Sequence, residues 1–268
     1  MNWQATTVVV TGATRGIGRC VVESLAGRGA RVGCLARSAD DLEELAAHVG
    51  APGQLAVAVA DVGAREQVES ALTTLARSLG PADVLVNNAG IGLFGPVARL
   101  DPADAERLMR ANYLGVVHAT CAVLPGMLER RRGHIVTIGS VAGRLGAPFE
   151  AAYSASKFAV VGFCEALAVE ASAFGVRVSL VNPGPVDTGF FETRGHPYER
   201  RRPKPVPPKQ VAAAVVRALE GGPFEQFVPR SLGAAAVVRH LVPRLYLSGT
   251  RQAFRSELAA LAEEAARQ

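Results

Sequence analysis

Cysteine is scarce in this chain. The four present, Cys20, Cys34, Cys121 and Cys164, show no paired spacing and no C-x-x-C motif. That excludes a disulfide framework and suits a reducing compartment; they read as small buried hydrophobes. Aromatic residues make up only 6% of the chain. Nucleic-acid binding needs basic residues clustered on one face together with stacking aromatics or a known module. Neither is visible, so the net charge of +5 reads as arginine used freely on the surface, with no nucleic-acid partner. No stretch of 18 or more uncharged apolar residues occurs, and no membrane-spanning helix is expected. Met1-Asn2-Trp3-Gln4 leads straight into the first apolar segment, leaving no room for a signal peptide; the expected location is the cytoplasm. Internal repeats and low-complexity segments are missing too, and no metal site is expected.

Apolar side chains are plentiful, at 49% of 268 residues, ample for a core. They alternate between two patterns. Short β-branched runs predict strands near 6–11, 31–36, 54–60, 83–87, 133–139, 176–182 and 225–229. Amphipathic segments predict helices near 16–28, 39–48, 64–79, 102–128, 151–173 and 207–221. Such alternation implies an α/β fold: a doubly wound parallel sheet of about seven strands with helices on both faces, joined by right-handed crossovers. It continues without a linker to about residue 230, so 1–230 is read as one domain. Ligands of such sheets bind beyond the carboxyl ends of the strands. Gly12, Arg37, Asp61, Asn88, Ser140 and Pro183 all fall at or just after predicted strand ends, which gathers them on one edge.

Two local patterns carry chemistry. Thr6-Thr7-Val8-Val9-Val10-Thr11 runs into Gly12-Ala13-Thr14-Arg15-Gly16-Ile17-Gly18 and then an amphipathic segment. In a strand, glycine turn and helix of this kind, glycines allow a tight turn, close approach to a pyrophosphate and close helix–strand packing. The N–H groups at the helix start attract the anion. The second pattern is Tyr153-Ser154-Ala155-Ser156-Lys157. On a helix, positions i and i+4 share a face, so phenol and ammonium enter the same space. A fixed cation favours phenolate and lowers the phenol pKa from about 10, towards the range useful to a general acid or base.

The spacing T-G-x-x-x-G-x-G resembles that of the short-chain dehydrogenases/reductases in their compact single-domain form. The likeness continues through Asn87-Asn88-Ala89-Gly90, Asn112 opening a helical segment, Ser140, Tyr153, Lys157, and Pro183-Gly184-Pro185-Val186-Asp187-Thr188. It covers roughly residues 5 to 230, and five motifs in order make it specific. The resemblance implies a Rossmann-type fold and reversible hydride transfer between a nicotinamide and a carbonyl/alcohol pair. Tyr153 would be the proton donor and acceptor, with Lys157 lowering its pKa and bonding the nicotinamide ribose. Ser140 would bond the developing alkoxide, and Asn112 would anchor a water in a proton relay. Gly139-Ser140 departs from the family's commoner Ser-Ser pair but keeps the hydroxyl.

Coenzyme contacts are expected from Gly12, Thr14, Arg15, Gly16, Ile17, Gly18, Asn88, Ala89, Gly90, Pro183, Gly184, Val186 and Thr188, with Asp61 and Val62 as an adenine clamp. At the end of the second strand, where an acidic residue would hold a ribose 2′-OH, stand Ala36, Arg37 and Ser38. Arg37 suits a 2′-phosphate, and Arg15 is a second candidate. NADP(H) is therefore expected over NAD(H). An NAD(H)-dependent alcohol dehydrogenase, or a non-catalytic NADP-sensing protein of the same fold, are the alternatives.

Residues 189–208 hold Arg194, Arg200, Arg201, Arg202 and Lys204 among several prolines and occupy the family's substrate-covering position. They are read as a lid rooted on Phe190 and Phe191. These two, with Leu93, Phe94, Val141, Leu145 and Phe149, are the expected walls of an apolar substrate pocket for a bulky lipophilic ketone or aldehyde. Residues 231–268 exceed the family core and are read as a helical extension packed on the core or a subunit interface, with membrane-surface attachment through 231–247 as the minor alternative. Family likeness implies a homodimer or homotetramer built from the 102–128 and 151–173 helices.

Overall fold

Successive residues of a strand point to opposite faces of a sheet, and here both faces are covered. In the computed structural model, which describes residues 1–50, 54–199 and 203–265, β1 (Thr7–Thr11) is buried along its whole length. Val8 and Val10 enter one apolar layer with Val21, Leu25, Leu42 and Val215. Val9 enters the opposite layer with Leu72, Leu75, Val116 and Val160. That two-sided burial is why the strands read as continuous apolar runs.

Six further strands complete one parallel sheet: β2 (Arg31–Ala36), β3 (Leu55–Val59), β4 (Val84–Asn87), β5 (Gly133–Ile138), β6 (Val176–Pro183) and β7 (Glu225–Val228), in the order β3-β2-β1-β4-β5-β6-β7. The first layer is supplied by α1 (Gly16–Ala26), α2 (Ala39–Val49) and, from the far end of the chain, α8 (Pro208–Leu219). The second is supplied by α3 (Arg65–Leu79), α5 (Gly115–Glu129) and α6 (Ala151–Ser172). The strand order reverses direction between β1 and β4, the crevice where doubly wound sheets take their ligands.

The segment read as one helix over 102–128 is broken in register. It begins as α4 (Pro102–Met109), passes through a π-helical turn at Arg110–Leu114, and continues as α5. Asn112 therefore lies inside a long helix and does not open one. Π turns of this kind mark functional positions in helices. Pro102–Glu129 and Ala151–Ser172 are also long and apolar enough, by length and composition, to cross a membrane, contrary to the sequence expectation. Both pack on the sheet through α5 and α6 and carry buried Asn112, Tyr153 and Lys157, so they are helices of this core.

Beyond the sheet, a short helix α7 (Phe190–Thr193) stands within the 189–208 segment, and Val186 bridges to Val206 across it. Arg200, Arg201 and Arg202 lie outside the described residues. The 231–268 extension forms α9 (Leu232–Leu241), α10 (Pro243–Ala253) and α11 (Arg255–Ala265). It packs back on the core. Arg239 Nη1 donates to Arg144 O at 3.0 Å and lies 4.9 Å over the Phe158 ring. Tyr246 donates to Gly146 O at 3.0 Å, and buried Phe254 stacks on Phe149.

Candidate active site

The glycine turn is built by contacts that admit no side chain. Gly12 has φ +64°, and a Cβ there would stand 2.8 Å from Ala89 Cα. At Gly18 a Cβ would collide with the Gly12 carbonyl, so α1 starts as close to the strand end as a backbone can. The neighbouring 88–90 turn is laced to it. Asn88 Nδ2 donates to Thr11 O at 3.0 Å and to Gly12 O at 2.9 Å. Thr11 Oγ1 accepts from the N–H of Asn88 at 3.0 Å and of Ala89 at 3.1 Å. Thr11 is thus a positioning residue, named in the sequence motif but not among the expected site residues; the hydroxyl ending an apolar strand is the signal that points to it. Thr11→Val should leave two partly buried donors without their acceptor and lower unfolding free energy by about 1–2 kcal/mol, measurable by urea unfolding.

At the far end of the cavity, Arg37 and Ser38 follow β2. The Ser38 hydroxyl caps α2, accepting from Asp41 N at 3.1 Å. Arg15 reaches across and forms an ion pair with Asp41, Nη2 to Oδ2 at 2.7 Å and Nε to the same oxygen at 3.0 Å. Asp41, also in the cavity wall, is a second residue missed by sequence reading; in the first turn of α2, it shows no strand-end signal. Asp61 accepts from Gly63 N at 2.8 Å, and Val62 O meets His118 Nδ1 at 3.0 Å.

Under the central cavity wall, α6 brings Tyr153 and Lys157 beneath the end of β5. Ser140 caps the short turn at Val141–Gly143, its Oγ accepting from Ala142 N at 3.1 Å. Tyr153 packs against Ala142 and Leu108 with its ring 5.7 Å from Phe190. Lys157 Nζ donates to Ile138 O at 3.1 Å and lies 5.9 Å from the centre of the Tyr153 ring. The expectation that Lys157 lowers the phenol pKa does not hold for the chain by itself. Burial pushes Tyr153 up to about 12, against a hydrogen bond with Ser140 that works the other way. Burial likewise drives Lys157 down to about 8. Both groups are buried, Tyr153 9% and Lys157 5% exposed, and burial disfavours each charge.

A stability signature follows. From about pH 8 to 10.5, the range between the folded and ordinary pKa of Lys157, the unfolded chain binds the extra proton. Stability rises with pH there. Between 10 and about 12 the buried Tyr153 phenol keeps its proton while an exposed one loses it, so its contribution falls with pH. Lys157→Met should flatten the first rise in unfolding midpoints measured across that range.

Asn112, fully buried, faces away from the cavity. Its Oδ1 accepts from Ile91 N at 2.8 Å, and its Nδ2 donates to Ile91 O at 3.0 Å and Ser156 Oγ at 3.0 Å. It clamps the turn after Gly90 to the helix that carries Tyr153.

One cavity of about 1760 Å³ runs along this whole edge. Gly12, Thr14, Arg15, Gly16, Ile17, Arg37, Ser38, Asp61, Val62, Asn88, Ala89, Gly90, Ser140, Tyr153, Lys157, Pro183, Gly184, Val186 and Thr188 all line it. So do Phe94, Val141, Leu145, Phe190 and Phe191. Four of the expected residues stand behind the wall: Gly18, Asn112, Leu93 and Phe149 do not line it. Gly18 is spent on helix packing, and Asn112 on its clamp. Leu93 packs into the cluster around Leu108 and Tyr153. Phe149 is sandwiched by Phe94 at 5.6 Å and Phe254 at 6.1 Å. Their places are taken by the extension, whose Val238, Leu245, Tyr246 and Phe254 line the far side. The lid root is tied down by Arg194, which pairs with Glu150 and lies 4.9 Å over the Phe94 ring and 4.8 Å over Phe191.

A parallel sheet of this order, with a side-chain-free glycine cradle after β1 and a phenol, an ammonium and a hydroxyl gathered at the ends of its central strands, defines a Rossmann-type dinucleotide-binding fold. The chain belongs to the short-chain dehydrogenase family, whose model, described as short chain dehydrogenase, matches residues 6–199. Human retinol dehydrogenase 8 is 43% identical over 189 residues, 69% of this chain and 60% of that protein; the match thus spans about three fifths of that relative's length. A short-chain dehydrogenase from Burkholderia cenocepacia J2315 in complex with NADP superposes with a TM-score of 0.80 at 28% identity, covering 93% of this chain and 99% of the other. A short-chain dehydrogenase/reductase from Burkholderia phymatum in complex with NAD gives a TM-score of 0.83 at 26% identity, covering 91% and 96%.

Proposed function

We propose that this protein is an NADP(H)-dependent oxidoreductase that moves a hydride reversibly between the nicotinamide and the carbonyl/alcohol group of a lipophilic ketone or aldehyde. The grouping of Ser140, Tyr153 and Lys157 on the cavity that begins at the glycine cradle carries the reading. A bound nicotinamide supplies or receives the hydride. The residues do the rest. The Gly12 and Gly16 turn, with the N–H groups opening α1, holds the pyrophosphate. Asp61 and Val62 flank the adenine, and Pro183 to Thr188 with Asn88 to Gly90 border the nicotinamide end. Tyr153, protonated across the neutral range, donates its proton to the carbonyl oxygen and takes one back in oxidation. Lys157, whose ammonium stands 5.9 Å from the centre of the Tyr153 ring, holds the ribose. Ser140 donates to the oxygen that gains charge. Asn112 acts as a positioning residue next to this centre and, by family likeness, on the proton path.

Arg37 and the lack of an acid at Ala36 favour a 2′-phosphate. Asp41 favours the second reading, NAD(H), because its carboxylate stands in the same corner and already engages Arg15. The apolar wall and the name of the human relative, a retinol dehydrogenase, support a lipophilic substrate. Only 33% and 44% of the most apolar windows of Pro102–Glu129 and Ala151–Ser172 are buried, which supports pairing of these helices in a homodimer or homotetramer. The cytoplasm is its proposed place. A panel of lipophilic ketones, aldehydes and alcohols offered with both coenzymes tests this. NADPH consumption with at least one member is expected; silence in both directions with both coenzymes overturns it.

A further inference from the structure

The extension that completes the cavity also presents an uncovered apolar face. On α9, Ala234, Val237, Val238 and Leu241 stand at i, i+3, i+4 and i+7 and are all exposed. Val237 is 57% and Leu241 75% accessible, and Val242 and Leu245 carry the strip into α10. The strip does not end at the surface. Val238 and Leu245, both exposed, also line the cavity, so the apolar face is the outer lip of the candidate substrate site. Its charge is one-signed. From Gln226 to Ser256 the chain holds five arginines, Arg230, Arg239, Arg244, Arg251 and Arg255, and neither Asp nor Glu. Arg244, Arg251 and Arg255 are exposed.

We infer that α9 and the start of α10 dock on an anionic lipid surface, seating Val237, Leu241 and Val242 among the acyl chains with the arginines at the headgroups. Apolar residues on one helix face rimmed by arginine are the composition of interfacial helices, and each such cation is attracted to a negative leaflet. A second copy of this chain is the poorer occupant, because two such faces would bring arginines against arginines with no carboxylate from the same stretch between them. With the lip held at the bilayer, a lipophilic substrate passes from membrane to cavity without crossing water; that consequence rests on the proposed function, whereas the docking itself does not.

The experiment is co-sedimentation of the full chain with vesicles of phosphatidylcholine, or of phosphatidylcholine mixed with phosphatidylglycerol, at low and high salt. Binding to the anionic vesicles is expected, weakened by salt and reduced by about tenfold or more in Val237→Asp/Leu241→Asp. These two side chains lie outside the cavity wall, so turnover of a water-soluble ketone and the thermal unfolding midpoint should stay unchanged. Arg244→Gln/Arg251→Gln, which leaves the apolar face intact, should lose the preference for anionic over neutral vesicles. The inference is overturned if the wild type stays in the supernatant with both vesicles, if either double variant binds as the wild type does, or if V237D/L241D only splits an oligomer seen without lipid. Sedimentation is read without catalysis, so an inactive protein that still binds vesicles would count against the proposed reaction and not against docking.

Discussion

Tyr153→Phe is expected to lower the turnover rate by about 10²–10⁴-fold, the usual worth of a positioned acid or base, while coenzyme affinity changes little. The substitution removes one oxygen from a ring whose packing against Ala142, Leu108 and Phe190 is otherwise kept. The structure also predicts the form of the pH dependence. Burial holds the phenol up to about 12, so carbonyl reduction, which needs the proton, should be nearly flat in pH through neutrality. Alcohol oxidation, which needs the proton gone, should rise with pH. Lys157, pushed down to about 8, adds an inflection near that value in the free enzyme. The decisive measurement is single-turnover kinetics of both proteins with saturating coenzyme. A Phe variant of near wild-type rate would remove Tyr153 from the chemistry.

Arg37→Asp is expected to weaken NADPH by about tenfold to a hundredfold, the range for a lost charge-assisted hydrogen bond, and NADH much less. A carboxylate at that place repels the 2′-phosphate but can accept from a 2′-OH. Asp41→Asn should act in the opposite sense. It releases Arg15 from the ion pair at 2.7 Å and should tighten NADPH several-fold without changing NADH. Fluorescence titration with both coenzymes reads both effects. Equal losses for NADPH and NADH in Arg37→Asp would place that arginine outside the phosphate site and favour the NAD(H) reading.

Much of this is legible in the chain because parallel strands are covered on both faces. Val8-Val9-Val10 and Val84-Leu85-Val86 therefore stand out as uninterrupted apolar runs, and the edge carrying the motifs follows from their ends. What stays hidden depends on through-space geometry. Apolar composition cannot tell that Leu93 joins the cluster under Tyr153 while Phe94, next to it, lines the cavity. The Arg15–Asp41 pair joins residues 26 apart. The π turn at Arg110–Leu114 leaves the apolar period almost unaltered, so Asn112 shows its type but not the clamp it makes. Burial of Tyr153 and Lys157 beneath the same wall, which opposes the electrostatic help between them, also needs the fold.

The stack of Phe94, Phe149 and Phe254 joins the loop after β4, the approach to α6 and the tail helices in one ladder. Division of labour follows from it. In the proposed reaction, proton and hydride handling falls to strand ends and α6, beside a glycine cradle whose close contacts admit no side chain. On the same reading, part of the molecular selectivity falls to a carboxy-terminal segment that meets the core through this ladder and through the Arg239 and Tyr246 hydrogen bonds. Such a protein can be retuned toward new guests by grafting a different tail, its reactive centre left as it was.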